Sequence, residues 1–241
     1  MERSQRDQFH DVFVLHSRPF RNSSQIVELL TAEQGRVGVV ARGVRRGKKS
    51  SSALLQPFRP LQVSWSGRGE LYTLTRVEEV GSAGYPLIGR RLLCGLYANE
   101  LLVRLLHREE SHPDLFLAYQ RLLLQLEQGE HEGRVLRGFE IHLLEAIGFG
   151  FDLHQDGQGL PIYPQQRYGY HPEEGLMPIN SSNGRQVSVM GQTLEWLRST
   201  EHEVEQWILR EARQLLRSAI DHHLPSELQS RKLLAQYGAL N

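Results

Sequence analysis

Between residues 12 and 80, short runs of alternating apolar and polar residues are separated by turns rich in glycine. The runs are enriched in β-branched and aromatic side chains, which are typical of half-buried strands. The glycine in the third run predicts a bulge or a sharp bend, and residues 51–55 fit one helical turn. Together these features predict a small closed barrel, with strands near 12–16, 25–31, 36–42, 59–65 and 71–77.

From about residue 86 the apolar positions recur every three or four residues, which is the period of a helix. Residues 150–186 interrupt this pattern, and their Gly, Pro, Gln and Tyr content predicts an irregular or hairpin insert. The fold class is therefore α+β, with a barrel domain at 1–80 and an α-helical domain at 81–241. Helices are predicted near 88–108, from Pro113, at 131–147, around 194–219 and after Pro225.

Charge is distributed unevenly although the formal net charge is zero. Residues 1–80 hold 13 Lys and Arg against 8 Asp and Glu, and the rest of the chain holds 15 against 20. The first part is thus net positive by 5 and the second net negative by 5. This asymmetry indicates a basic functional part joined to an acidic one.

The most basic segment follows the third predicted strand. Each phosphate that a basic side chain neutralises releases counterions, which favours binding. A basic segment on a small barrel is therefore a common way to bind nucleic acid. The alternative is a solvated loop without a ligand. Phe20, Trp65 and Tyr72 on the same predicted sheet fit either base stacking or the core. The predicted phosphate contacts are Arg42, Arg45, Arg46, Lys48 and Lys49, and Arg36, Arg68 and Arg76 extend the track.

The last predicted helix combines leucines with basic residues at its edge. It either closes the core or borders a groove for a partner's acidic, hydrophobic tail, whose carboxylate would meet a basic side chain. The candidate residues for partner binding are Arg231, Lys232 and Leu234.

Catalytic and metal-binding patterns are weak. The chain has no phosphate-binding Gly-Lys-Ser/Thr loop, no GxSxG elbow and no HExxH motif. Glu140 and Glu145 flank an apolar helix face and are expected to be solvated rather than paired. His154, Asp156 and His171 lie in the insert, but structural zinc usually needs four close ligands, mostly Cys. We therefore expect no enzymatic activity, no metal and no cofactor.

The single cysteine, Cys94, excludes an intramolecular disulfide and lies in an apolar pattern that predicts burial. No apolar stretch near the first residues fits a signal peptide, and no apolar run approaches the length of a membrane span. The expectation is a soluble protein of the cytoplasm, associated with the nucleoid if it binds DNA.

An ordered set of short motifs resembles the RecO family of bacterial recombination mediators. The motifs extend along nearly the whole chain, and the ordered set is more specific than any one of them. They are VLHSRPF at 14–20, GR at 35–36, VARG at 40–43, LQPF at 55–58, GRGEL at 67–71, GLYANELL at 95–102, FE at 139–140, LL at 143–144, IGFG at 147–150 and SR at 230–231.

The resemblance implies an N-terminal OB-fold, a central helical region and an inserted element. It also implies a protein that binds single- and double-stranded DNA, anneals complementary strands and works with RecR to help load RecA. Such proteins dock on the acidic C-terminal tail of single-stranded DNA-binding protein. Some relatives hold zinc with cysteines of the insert, but residues 150–186 contain none. The rival functions are an OB-fold interaction scaffold without direct DNA binding and a nucleic-acid enzyme.

Overall fold

The structure is a computed structural model that describes residues 8–42, 51–81, 84–179, 187–199 and 205–240. The chain forms two compact units. Unit 1 comprises Met1–Gln128 and Leu228–Asn241, and unit 2 comprises Gly129–Glu227. These units are groups of residues in mutual contact, and the division into a barrel domain and a helical domain at residue 80 stays a prediction.

The first five strands of unit 1 form the predicted closed barrel. Their order around it is β1-β2-β3-β5-β4, with β4 returning to β1, and every neighbouring pair is antiparallel except β3 and β5. A short helix, α1, separates β3 from β4, which completes an OB-like arrangement. The elements are β1 (His10–Phe20), β2 (Ser24–Thr31), β3 (Gly35–Ala41), α1 (Ser51–Leu54), β4 (Pro60–Ser66) and β5 (Tyr72–Glu79).

Alternation along the strands fills the barrel. Side chains on a strand point to opposite faces in turn, so every second residue enters the interior. These interior residues are nearly all β-branched or leucine, and they form one buried cluster. Its members on the strands are Val12, Val14, Val27, Leu29, Val37, Val39, Ala41, Leu61, Val63 and Trp65.

The two glycines of β3 permit close packing against the segment that follows the second helix. Gly35 has φ of 63°, and a Cβ there would lie 1.7 Å from the carbonyl oxygen of Glu110. At Gly38 the β2–β3 ladder continues without a register shift, so the predicted bulge is wrong. A Cβ at Gly38 would instead lie 2.8 Å from Cδ2 of Leu71 and 3.0 Å from the guanidinium of Arg108. The glycine therefore leaves room for the ends of these two side chains.

Three further helices complete unit 1. Phe13 points out of the barrel and packs edge-on against the ring of Tyr119, with centroids 5.2 Å apart. The buried Asn99 side chain donates to the carbonyl of Leu15 at 3.0 Å and accepts the Tyr119 hydroxyl at 2.5 Å. Burial raises the pKa of Tyr119. Cys94 is buried as predicted. The helices are α2 (Gly89–Leu105), α3 (Pro113–Gln128) and α7 (Gln229–Leu240).

A carboxylate on α2 caps α7. Glu100 accepts the backbone N–H groups of Gln229 and Ser230 at 3.0 and 2.8 Å and the Ser230 hydroxyl at 2.6 Å. The first N–H groups of a helix have no partner inside it, and a carboxylate there also favours the helix dipole. Partial burial raises the pKa of Glu100, but the hydrogen bonds from Ser230 and Gln229, together with Arg104, outweigh it, and the net pKa is lowered.

Unit 2 combines helices with a three-stranded antiparallel sheet in the order β7-β6-β8. The predicted insert is thus partly regular, because β6 and β7 form a hairpin within it. Glu211 accepts the backbone N–H of Met190 and the hydroxyl of Thr193, each at 2.8 Å, which fixes the start of α5. The elements are α4 (Glu132–Ala146), β6 (Arg167–His171), β7 (Gly175–Pro178), β8 (Ser188–Met190), α5 (Gly191–Arg198) and α6 (Gln206–His222).

Glu140 is not solvated, so that prediction is wrong. Its side chain is 1% exposed, and both carboxylate oxygens accept hydrogen bonds from the buried guanidinium of Arg137, one turn earlier on α4. The bidentate ion pair offsets the cost of burying the Glu140 charge. Glu145 is exposed, as expected.

We expect Glu100→Ala to lower the free energy of unfolding by about 1–2 kcal/mol, because the first turn of α7 loses its cap. Chemical denaturation of the full chain measures this difference. Glu127→Ala, at an exposed position on α3, is the control and should change stability by less than about 0.5 kcal/mol.

The loss of stability in Glu100→Ala should depend on pH. Since the folded pKa of Glu100 is lowered, its stabilisation is complete above the ordinary glutamate pKa of about 4.3 and is lost as the pH falls through the folded pKa. The difference between wild type and Glu100→Ala should therefore shrink in acid. A constant difference from pH 7 down to pH 3 contradicts the role of the charged carboxylate.

Candidate nucleic-acid interface

The predicted phosphate contacts begin where β3 ends. Arg42 directly follows the Gln25↔Ala41 pair and is exposed. The other members of the basic segment, Arg45, Arg46, Lys48 and Lys49, lie outside the described residues. No Asp or Glu occurs between Glu33 and Glu70. The sequence from 34 to 69 therefore offers no acidic partner of its own, although Arg36 and Arg59 pair with carboxylates of other strands.

Arg36 is engaged within the protein. Its Nη1 lies 3.1 Å from Oε2 of Glu28, and its Nε donates to the carbonyl of Leu106 at 3.0 Å. Arg108 binds the other oxygen of Glu28 and donates to the carbonyl of Glu70 at 3.1 Å. We name these three side chains the Glu28 cluster. The contacts give Arg36 a structural role, and its direct contact with phosphate stays a prediction.

Burial and neighbouring charges have opposing effects on the pKa of Arg36 in the Glu28 cluster. Burial lowers the pKa of Arg36, Glu28 opposes this change, and the neighbouring Arg108 reinforces it. An arginine remains protonated at any physiological pH. The cluster therefore holds two positive charges on one buried carboxylate, and Glu28 is not available to repel a phosphate.

Arg68 and Arg76 occupy different parts of the barrel. Arg68 is exposed in the turn between β4 and β5. Arg76 is an exposed residue of β5, opposite Ser64 in the β4–β5 ladder. In an OB-fold, the loops β1–β2 and β4–β5 and the face of β2 and β3 bind oligonucleotides. Arg42 and Arg68 lie at these elements, and Arg76 lies beside them.

Two of the three candidate aromatics contact the barrel core. Trp65 is a core residue and stacks on His10 with centroids 4.4 Å apart. Tyr72 packs against the core, and its hydroxyl donates to Oε1 of Glu109 at 2.8 Å, which raises the pKa of Tyr72. Phe20 is half-buried at the end of β1 and is not part of the barrel core cluster.

Sequence reasoning missed two exposed arginines, Arg18 and Arg21, at the β1–β2 hairpin. They flank Phe20, and the Arg21 guanidinium lies 5.1 Å from the centroid of its ring. Residues 12–27 contain no Asp or Glu, so the sequence does mark this hairpin as basic. Two separated arginines form no dense run of positive charge, however, and charge density alone does not identify them.

The candidate partner site lies on α7. Arg231 is half-buried, with its guanidinium 5.6 Å from the ring centroid of Tyr97 on α2. Lys232 is exposed and Leu234 is half-buried. The helix thus presents a basic edge next to apolar atoms, and its N-terminus is held by Glu100.

Other chemistry finds little support in the described residues. Among them, no group of three His, Cys, Asp or Glu side chains is placed to hold a metal ion. His154 contacts Arg198 at 3.1 Å, while Asp156 accepts the N–H groups of Gln158 and Leu160 in a local turn. None of the described helices has both the length and the apolar composition needed to cross a membrane.

Comparison with known proteins matches both parts of the chain. A family model described as "Recombination protein O N terminal" matches residues 9–83, and one described as "Recombination protein O C terminal" matches residues 89–232. The DNA repair protein RecO of Methylococcus capsulatus is 43% identical over 223 residues, which cover 92% of this chain and 90% of that protein.

Two other relatives carry the same name. DNA repair protein RecO of Halorhodospira halophila is 44% identical over 224 residues, covering 92% of this chain and 94% of the relative. That of Aromatoleum aromaticum is 39% identical over 239 residues, covering 98% of each. The N-terminal match contains the whole barrel, and the C-terminal match runs from α2 into α7. The chain therefore belongs to the RecO family of DNA repair proteins.

Proposed function

We propose that this protein is a non-enzymatic mediator of recombinational DNA repair that binds single- and double-stranded DNA and anneals complementary strands. The observation that carries the proposal is an OB-like barrel whose β3 is followed directly by the exposed Arg42 and, in the sequence, by the basic segment 43–49. In bacteria this role places the protein in the cytoplasm, at the nucleoid.

The mechanism requires no covalent step. Two complementary strands repel each other through their phosphates, and fixed arginine and lysine charges reduce that repulsion by releasing counterions. Arg42, Arg45, Arg46, Lys48 and Lys49 bind phosphates, and Arg68 and Arg76 extend the track. Bases left facing outward then pair with an incoming strand.

Partners follow from the family resemblance and from the chemistry of α7. The protein acts with RecR and with single-stranded DNA-binding protein to help load RecA. Arg231 and Lys232 meet the carboxylates of the acidic C-terminal tail of single-stranded DNA-binding protein, and Leu234 contacts its apolar residues. The Glu100 cap supports this proposal because it fixes the helix on which all three residues lie.

The alternative function is an OB-fold scaffold that binds protein without direct DNA contact. Barrels of this type serve many functions, so the fold alone does not decide between them. The exposed arginines and the long stretch without acidic residues favour DNA.

We expect the combined variant Arg45→Ala, Arg46→Ala, Lys48→Ala and Lys49→Ala to bind a single-stranded oligonucleotide at least about tenfold more weakly. Affinity should also depend less steeply on salt. The magnitude of the slope of log affinity against log salt should decrease by up to about 3, since each phosphate contact contributes about 0.7 for single strands. Electrophoretic shifts at several salt concentrations measure both quantities, and annealing of complementary oligonucleotides should slow in parallel.

The control for this experiment replaces three exposed arginines of unit 2 on α6, namely Arg210, Arg213 and Arg217, by alanine. Their loss should leave affinity and salt slope unchanged. An unaltered slope in the four-residue variant would remove the basic segment from the DNA site. No shift by wild type at low salt would favour the scaffold, and cleavage of DNA during prolonged incubation with metal would favour an enzyme.

Alanine variants of Arg36 and Arg42 should differ in which property they change, the stability of the fold or the affinity for DNA. Arg36→Ala leaves Glu28 without one of its two cationic partners, so we expect the free energy of unfolding to fall by about 1–3 kcal/mol. Arg42→Ala should change stability by less than about 0.5 kcal/mol but weaken DNA binding severalfold. Thermal unfolding and oligonucleotide titration of both variants test this, and the reverse pattern contradicts the assignment.

Docking of the acidic tail is tested with a labelled peptide of the single-stranded DNA-binding protein C-terminus. Fluorescence anisotropy should show about tenfold weaker binding to Lys232→Ala and to Arg231→Ala than to wild type, because each loses a charge-assisted contact. Arg121→Ala, on the exposed face of α3, is the control. Equal affinities throughout would exclude this edge of α7 as the tail site.

A further inference from the structure

The β1–β2 hairpin extends beyond the closed part of the barrel. β1 has 11 residues, but it pairs with β4 only over His10–Phe13, whereas its pairing with β2 continues to Phe20↔Ser24. The burial pattern changes at the same point, from buried at 12–15 to exposed at 16–19. The side chains in the second half of β1 are therefore not needed to fill the core.

Strand register places an aromatic ring and two arginines on one face of this ribbon. Residues directly opposite each other in a ladder share a face, and so do residues two apart on one strand. Phe20 is opposite Ser24, and Gln25 is opposite Ala41, so Arg42 continues the row of Phe20 and Ser24. Because adjacent strands lie about 4.8 Å apart, this register separates the backbones at Phe20 and Arg42 by about 10 Å.

The same register shows which face this is. Arg18 is opposite Ile26, which is in turn opposite Val40. The alternate residues of these strands, such as Val27 and Val39, belong to the barrel interior. Arg18, Phe20 and Arg42 therefore lie on the outer surface of the barrel.

Phe20 is held in a defined place without being a core residue. Arg21, at φ of 51°, turns its guanidinium toward the ring, 5.1 Å from the centroid. Such a cation–π contact orients both groups. The ring is only half-buried, so part of its surface remains accessible.

The charges around the ring are positive. Arg18, Arg21 and Arg42 are all exposed, and within the described residues neither Arg18 nor Arg21 forms an ion pair with a carboxylate. Glu28, the next acidic residue along β2, is engaged by Arg36 and Arg108. A partly accessible aromatic ring among exposed arginines is suited to bind an unpaired base and its neighbouring phosphates.

We propose that Phe20 is the residue that distinguishes single-stranded from double-stranded DNA, by stacking on an unpaired base while Arg18 and Arg21 bind the adjacent phosphates. The inference rests on the proposed DNA binding of the barrel. Bases in a duplex are stacked on each other, so their faces are accessible to a protein ring only in a single strand or after extrusion. Phosphates, by contrast, are exposed in both forms.

The test compares affinities of the full chain for an unstructured single-stranded oligonucleotide and for the corresponding duplex, at several salt concentrations. Phe20→Ala should weaken single-strand binding about tenfold, the effect of losing one base stack, and change duplex binding less than about twofold. Its salt slope should not change. Phe20→Trp should restore single-strand affinity.

Two further variants separate stacking from charge. The double variant Arg18→Ala with Arg21→Ala should weaken binding to both forms of DNA and lower the salt slope for single strands by about 1.4, for two phosphates. Tyr163→Ala removes an aromatic that is 58% exposed in unit 2, and Arg121→Ala removes an exposed arginine of α3. Both controls should behave as wild type.

The proposal is overturned if Phe20→Ala weakens single-strand and duplex binding equally, or weakens neither. In those cases weaker binding by the four-residue variant of the basic segment still supports the barrel as the DNA site. If the wild type binds neither form, the proposed function fails as well. Should Phe20→Ala unfold, Phe20→Leu keeps the apolar bulk without an aromatic face, and wild-type single-strand affinity in that variant also overturns the proposal.

Discussion

Closure of the barrel depends on a short parallel contact between β3 and β5, which within the described strands pair at only two positions, Val39 and Val40. Parallel pairing is slightly weaker per residue than antiparallel pairing. The β3–β5 contact is therefore the weakest strand pairing in the barrel. The segment after α2 braces it. Arg108 binds Glu28 on β2 and the carbonyl of Glu70 before β5. A barrel formed by residues 10–79 is therefore completed by residues that follow it in the chain.

This brace also distinguishes the arginines of the barrel by their surroundings. Arg36 pairs with a buried carboxylate, whereas Arg18, Arg21 and Arg42 are exposed. Since Glu28 is already neutralised by two guanidinium groups, it does not oppose the positive potential of the nearby outer face. An interaction that stabilises the barrel thus helps to define the surface that we propose for DNA.

Periodicity predicted the barrel and the helices because each strand and helix has one apolar face, and the sequence shows that face directly. It did not predict contacts formed between distant elements. Glu140 resembles a solvated residue in sequence, and its burial depends on Arg137 and on packing that no local pattern reveals. Gly38 predicted a bulge because glycine is rare in strands, but the strand is regular there, and the glycine instead lies against the side chains of Leu71 and Arg108 from distant segments.

Unit 2 interrupts unit 1, because α7 follows it in the chain but packs on α2. During synthesis, Glu100 therefore emerges from the ribosome long before Gln229 and Ser230, the residues whose N–H groups it accepts. At about 5–20 residues per second, translation of the intervening residues takes roughly 6–26 seconds. During that interval the surface of α2 that α7 will cover is exposed, and the nascent chain has all five barrel strands but lacks the helix that we propose for partner docking.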